Sequence, residues 1–180
     1  MKCLSIILFL VLTFVESTDE PYIIISGKSI AVDGNTTIGE FSCSYNLKGK
    51  NDTLYLNQLA HKPYYFSLPV AAFQCGNPFL NKDFQKTLKA GEYPKIGVEL
   101  KSLEINRYNE YTGELQLHLV GESKILKKVK FSNHQQGKSK FLLTVIDIKA
   151  SEFGISPPKK FGGIMKADDN MQISVKLLLL

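Results

Sequence analysis

From residue 22 onward, apolar and polar residues alternate with a period of two along most of the chain, as in strands that bury one face. Tyr22 to Ile25 is a short apolar run, and Lys28 to Val32 alternates up to a turn signal at Asp33-Gly34-Asn35. Thr36 to Tyr45 sets Phe41, Cys43 and Tyr45 against Ser42 and Ser44, and Lys48 to Asp52 reads as a polar turn. Thr53 to Asn57 is a short strand, Gln58 to Pro63 a loop, and Tyr64 to Cys75 a strand interrupted at Pro69, as at an edge or bulge. Farther on, Pro94 to Ile105, Glu114 to Gly121, Ser123 to Phe131, Lys140 to Lys149 and Met171 to Leu180 read as strands. Turns at Arg107 to Glu110 and Asn133 to Lys138, and a Ser-, Gly- and Pro-bearing connection over Ala150 to Phe161, separate them.

One stretch breaks the pattern. Between Asn77 and about Ala90 the apolar residues Leu80, Phe84 and Leu88 recur four apart, which is helical spacing. Asn77 suits the N-cap, and Pro78 suits the first turn because its missing N–H would be unpaired there anyway. Gly91 offers a left-handed terminator, and Pro94 prevents continuation. A single amphipathic helix in a β chain is expected to cover one end or one edge of the sheet. Eight or so antiparallel strands with short polar turns imply a closed barrel or a sandwich. The last strand carries leucines on both faces, so its pairing with the first strand is expected to cover it.

Composition and charge modify this picture little. At 180 residues and 44% hydrophobic content, one domain with a sizeable core is expected. A formal charge of +5 favours anionic surfaces but falls short of a nucleic-acid arm. Lys2 followed by the apolar run Leu4 to Val15 reads as a signal peptide over residues 1–17, leaving a mature domain at 18–180 and placing the protein in the periplasm or otherwise outside the cytoplasm. Of three cysteines, Cys43 and Cys75 then remain, either joined in one disulfide or as two separate buried thiols.

A family resemblance enters through several short motifs. Asp83-Phe84, followed by Tyr93-Pro94-Lys95-Ile96, resembles a "dF…yP.I" signature. Gly113 to Gly121 before Lys124 resembles a "G.l.v.G.t" strand pair, and Ser151-Glu152-Phe153-Gly154-Ile155 resembles an "sdFGi" segment with Glu152 in place of Asp. Gly163 to Ala167 with the final strand resembles a "G..v.d.v.I.i.l" ending. In order and spacing over Ser29 to Leu179 these are similar to the YceI-like family, the polyisoprenoid-binding, lipocalin-like barrels of bacterial envelopes. Phe41 to Tyr45 and Phe73 to Asn77 look like its Bacteroidetes-type branch. The resemblance implies an all-β, eight-stranded antiparallel barrel holding an isoprenoid or similar apolar lipid, with no catalysis and no cofactor. The expected lining is Phe41, Tyr45, Phe66, Val70, Leu80, Phe84, Leu88, Leu115, Leu117, Phe141, Leu143 and Phe153. The alternatives are a barrel filled by its own side chains and a ligand-free envelope scaffold working through protein contacts.

Catalytic and metal-binding patterns are weak. His61, His118 and His134 are far apart and lack metal-ligand spacing, and the GxSxG, P-loop and dinucleotide motifs do not occur. Lys124, Lys127, Lys128, Lys130, Lys138 and Lys140 cluster on a predicted hairpin, either as a solvated face or as a transient contact with an anionic membrane. Nucleic acid is not expected as a partner, and the sequence leaves the oligomeric state open.

Overall fold

The computed structural model describes residues 21–57, 63–160 and 165–180. The predicted signal segment, the loop residues 58–62 with His61, and the Gly163-Ile164 part of the last motif lie outside them. The strands are β1 (Tyr22–Thr36), β2 (Gly39–Tyr55), β3 (Tyr64–Pro69), β4 (Lys95–Ile105), β5 (Tyr111–Leu119), β6 (Glu122–Gln136), β7 (Ser139–Lys149), β8 (Lys159–Lys160) and β9 (Met165–Leu179). One α-helix, α1 (Pro78–Thr87), and two 3-10 turns, Val70–Ala72 and Ala150–Phe153, complete the fold. Every strand pair is antiparallel, and the order across the sheet is β2-β1-β9-β7-β6-β5-β4-β3, with β8 an appendage on β9. This is an up-and-down meander curled into a nearly closed barrel of eight strands.

The first and last strands pair as expected, Ile30 opposite Val175 and Val32 opposite Ile173, all buried. The inward row continues through Leu115 and Leu117 on β5 and Val98 and Leu100 on β4. It excludes polar side chains almost completely: among the described residues Thr144 is the one polar side chain in the fully buried set.

Three turn signals lie inside strands, for distinct reasons. Asp33-Gly34-Asn35 continues β1, and the chain reverses at Thr37-Ile38 instead. Gly34 lies opposite Phe41, and a Cβ there would meet the Phe41 ring at 2.6 Å, so the glycine makes room for an aromatic across the pair. Lys48 to Asp52 bulges against β1, where the register shifts between Ile25 and Gly27. Asn133 to Gln136 extends β6, and the turn shrinks to Gly137-Lys138. The helix also ends earlier than Gly91: Leu88 is its C-cap and Lys89 takes the left-handed conformation, φ 49°.

Among the described residues no ladder joins the two ends of the sheet, β2 and β3, and other links bridge them. Near the α1 end, Cys43 of β2 and Cys75 form a disulfide, and Ser44 and Gln74 exchange two backbone hydrogen bonds of 3.0 and 2.9 Å. At the opposite end Asp52 of β2 pairs with the Lys28 ammonium and accepts a 3.0 Å hydrogen bond from the Tyr64 hydroxyl of β3. The pairing of Cys43 with Cys75 is therefore the disulfide alternative, and it fastens the seam of the barrel.

The Cys43→Ser/Cys75→Ser double variant should lose about 3–4 kcal/mol of stability, the chain-entropy value for a closed loop of this length. Urea unfolding should show it as a lower midpoint. Gly113→Ala should also destabilise, by about 1–3 kcal/mol, because its Cβ would meet the Ser102 carbonyl oxygen of β4 at 2.3 Å.

Candidate functional site

Helix α1 lies across one end of the barrel because its N-terminus is tied to the seam. The Asn77 side chain accepts a hydrogen bond from the Leu80 N–H at 2.9 Å, capping the helix as its sequence predicts. One turn on, Asn81 accepts from the Cys75 N–H at 2.7 Å and donates to the Gln74 side chain at 2.9 Å. Cys75 and Gln74 are the residues that hold β2, so helix and seam form one unit. Beneath them the fully buried Phe73 ring lies 5.3 Å from Phe84 and 6.1 Å from Tyr45, centroid to centroid.

Under this helix is an apolar cleft. A pocket of about 100 Å³ is bounded by Phe41, Cys43, Leu80, Phe84, Pro158 and Ala167, with Thr36, Asp83 and Thr87 also on its walls. A second hollow of about 50 Å³ shares Phe41, Phe84, Thr87, Pro158 and Ala167 with it and reaches Leu88, Ile96, Leu119 and Ile173. A larger hollow of about 530 Å³ lies on the outside of the sheet. Asp33, Glu40 and Asp147 line it, which suits water rather than hydrocarbon.

The structure gathers most of the expected lining. Phe66, Val70, Phe84, Leu88, Leu115, Leu117 and Phe153 are buried, and Phe41, Tyr45 and Leu80 are half-buried against the same core. Phe141 and Leu143 are corrections. On β7 the buried row is Leu142, Thr144, Ile146 and Ile148, so Phe141 and Leu143 belong to the outer face. There Phe141 stacks on His134 at 5.3 Å and carries the Lys176 ammonium 3.7 Å from its ring centroid. The strand is apolar on both faces, but Asp147 and Lys149 mark the outward parity and were the signal that would have given Leu142. Sequence reasoning also missed Thr87, beside the apolar stripe of α1, and Pro158 and Ala167, which wall the cleft from segments with no periodicity of their own.

Polar groups around the barrel are engaged with one another, at both of its ends. Burial, and then the hydrogen bond to Asp52, push the Tyr64 hydroxyl well above its usual range. Glu152 accepts from the Lys124 ammonium at 2.6 Å, which holds its carboxyl below the usual value. Asp169 accepts from the Ser151 hydroxyl at 2.7 Å and the Ser151 N–H at 2.8 Å, with the same effect. His118 and His134 sit on outer faces, and among the described residues no three His, Cys, Asp or Glu side chains converge as a metal site. What this arrangement can do chemically is to shelter hydrocarbon.

Comparison with known proteins bears on the fold. No protein-family model matches the sequence, and no curated protein is detectably similar to it. Among solved structures, a polyisoprenoid binding domain from Saccharophagus degradans, implicated in plant cell wall breakdown, superposes with a TM-score of 0.57 at 10% identity. That alignment covers 89% of this chain and 98% of that one. The two share a fold. Burkholderia cenocepacia BcnA superposes with a TM-score of 0.53 at 16% identity, covering 84% of this chain and 95% of its own. The Campylobacter jejuni YCEI protein aligns over 99% of this chain and 88% of its own, at 13% identity and a TM-score of 0.49. The barrel implied by the sequence motifs is thus the barrel observed.

Two outcomes test the site's construction. Phe84→Ala removes the ring that seals helix to barrel and should cost about 3–5 kcal/mol, measured by denaturant unfolding. Because Glu152 and Asp169 titrate below their unfolded values, their contribution is complete above the ordinary carboxylate range and is lost as pH falls through the folded values. Amide protection factors in Ala150–Phe153, corrected for the pH dependence of intrinsic exchange, should therefore fall on acidification, and Asp169→Asn should blunt that dependence. The effect should be small, since both groups are exposed.

Proposed function

We propose that this chain is a YceI-like, exported, non-enzymatic binding protein that takes an apolar, isoprenoid-like lipid into the end of the barrel beneath α1. The observation that carries the reading is the cleft: mostly apolar walls from seven separated segments, with Asp83 and Asp168 among the lining residues, roofed by a helix and continuous with an interior almost free of polar side chains. Hydrocarbon needs no directional partner there. Each CH₂ moved from water contributes roughly 0.8 kcal/mol, so a five-carbon isoprene unit contributes roughly 4 kcal/mol. The sequence motifs, and the fold shared with a domain described as polyisoprenoid-binding, support the same class of ligand. The disulfide is compatible with export to an oxidising compartment. Among the described residues no helix is long and apolar enough to cross a membrane.

Volume favours a second reading. The two hollows together fall below the roughly 300–1,000 Å³ of usual small-molecule pockets, so a chain of several isoprene units requires α1 to shift outward. A barrel that stays packed would instead be a ligand-free scaffold acting through protein contacts.

Native mass spectrometry of the protein purified from its own cells, before and after incubation with isoprenoid quinones, separates the two readings. A stoichiometric apolar adduct is the expected result, and Ala167→Leu, which fills the cleft, should weaken uptake at least about tenfold with an unchanged melting temperature. A bare protein mass under both conditions would favour the scaffold.

A further inference from the structure

The barrel wall has an opening on the side away from the disulfide. Strand β6 bends near Phe131: its first half pairs with β5, from Leu119 opposite Glu122 to Tyr111 opposite Phe131. Its second half pairs with β7, from Ser132 opposite Leu143 to Gln136 opposite Ser139. Beyond Leu143, β7 follows β9 alone, as far as Lys149 opposite Asn170. Among the described residues no ladder joins 122–131 to 144–149, which leaves a lateral slot. The inward residues Lys124, Leu126 and Val129 on its β6 side are only half-buried, although their neighbours across the pair, Leu117, Leu115 and Gly113, are buried. The 3-10 turn Ala150–Phe153 follows directly on β7 with Phe153 buried, and the Lys124–Glu152 ion pair ties it to the β6 side of the slot.

The lips of this slot are both basic and apolar. Ile125 on β6 and Val145 on β7 are about half exposed, at 48% and 52%, beside the half-buried Phe141 and Leu143. Lys127, Lys128 and Lys130 stand exposed on the β6 lip, and none of them takes part in an ion pair among the described residues. The nearest carboxylates in the outer rows are Glu114 on β5 and Asp147 on β7, the latter bound by Gln172.

Such an edge could in principle accept a partner strand, but Lys128 has φ 56° and the β5–β6 register shifts beside it. A bulge and a run of lysines are the devices by which an edge refuses strand addition. The face is also the convex outside of a barrel, without the concave aromatic pocket that anchors a protein partner. Lysines with long apolar stems, interleaved with aliphatic side chains on a convex face, fit a soft anionic surface.

We propose that the outer face of β6 and β7 docks on an anionic bilayer, the lysines at lipid phosphates and Ile125 and Val145 in the interface, so that the slot opens toward the membrane. The docking stands alone; only the use of the slot as a lateral path for lipid rests on the apolar-ligand reading. Lys124 then faces the headgroup layer, where phosphate competes with Glu152 for its ammonium.

Co-sedimentation with large vesicles of phosphatidylcholine alone, or with one third phosphatidylglycerol, tests the docking. Binding should appear only with the anionic vesicles and fade as salt is raised. The Lys127→Gln/Lys128→Gln/Lys130→Gln variant should lose about a hundredfold in partitioning. A control with the same charge change elsewhere, Lys48→Gln/Lys86→Gln/Lys95→Gln, should bind within about twofold of the parent. Melting curves of both variants verify that they are folded. Equal losses in the two variants, or no vesicle binding by the parent, would overturn the proposal. So would lysine-dependent self-association in the absence of vesicles, which would assign the face to a second copy. Uptake of a quinone from detergent without vesicle binding refutes the docking alone, and vesicle binding without uptake refutes the ligand reading alone.

Discussion

The fastening of β2 to β3 is the constraint on which the rest of the molecule depends. A meander of eight strands has two edges, and an open edge invites pairing with other chains. Among the described residues the edges meet without a ladder, held by a covalent bond and two backbone hydrogen bonds at one end and by the Lys28–Asp52–Tyr64 cluster at the other. The first fastening also positions the helix, since Asn81 grips Cys75 and Gln74. Seam, helix and cleft are one construction, so a change at the sulfurs is felt where a ligand would lie. The lower fastening is polar in an otherwise apolar barrel. Its ammonium is mostly sheltered and its carboxylate half-open to water, so it joins the strands without leaving a buried charge uncompensated.

Much of the fold was legible because burial on one face imposes a period of two, and the one helix stood out against that background. Its cap at Asn77 and its stripe at Phe84 and Leu88 depend on local spacing alone. Turns were less legible, because residues that permit a reversal also serve other needs. Gly34 accommodates an aromatic ring across a strand pair, and Lys48 to Asp52 makes a bulge that turns Asp52 toward Lys28. Neither need can be seen without the partner strand.

The candidate site was legible to the extent that its residues lie on alternating strands or the helix. Phe141 and Leu143 went to the wrong face because a strand apolar on both sides carries no parity until a charged residue marks it. Pro158 and Ala167 come from the connection into β9 and the start of that strand, where tertiary packing alone brings them beneath the helix. The slot between β6 and β7 had no sequence signature at all, since it arises from where one ladder stops and another begins.

The pairing of β1 with β9 has a kinetic side. On its second edge β1 pairs Ile25 with Leu179 and Val32 with Ile173, so this side of β1 must wait for β9. Contacts this distant in sequence make closure slow compared with the formation of neighbouring hairpins. While it waits, β1 can lean only on β2, and β9 only on β7, so the edge between them stays open. Closure of β9 against β1 is therefore the step before which unpaired strand edges are most exposed to aggregation.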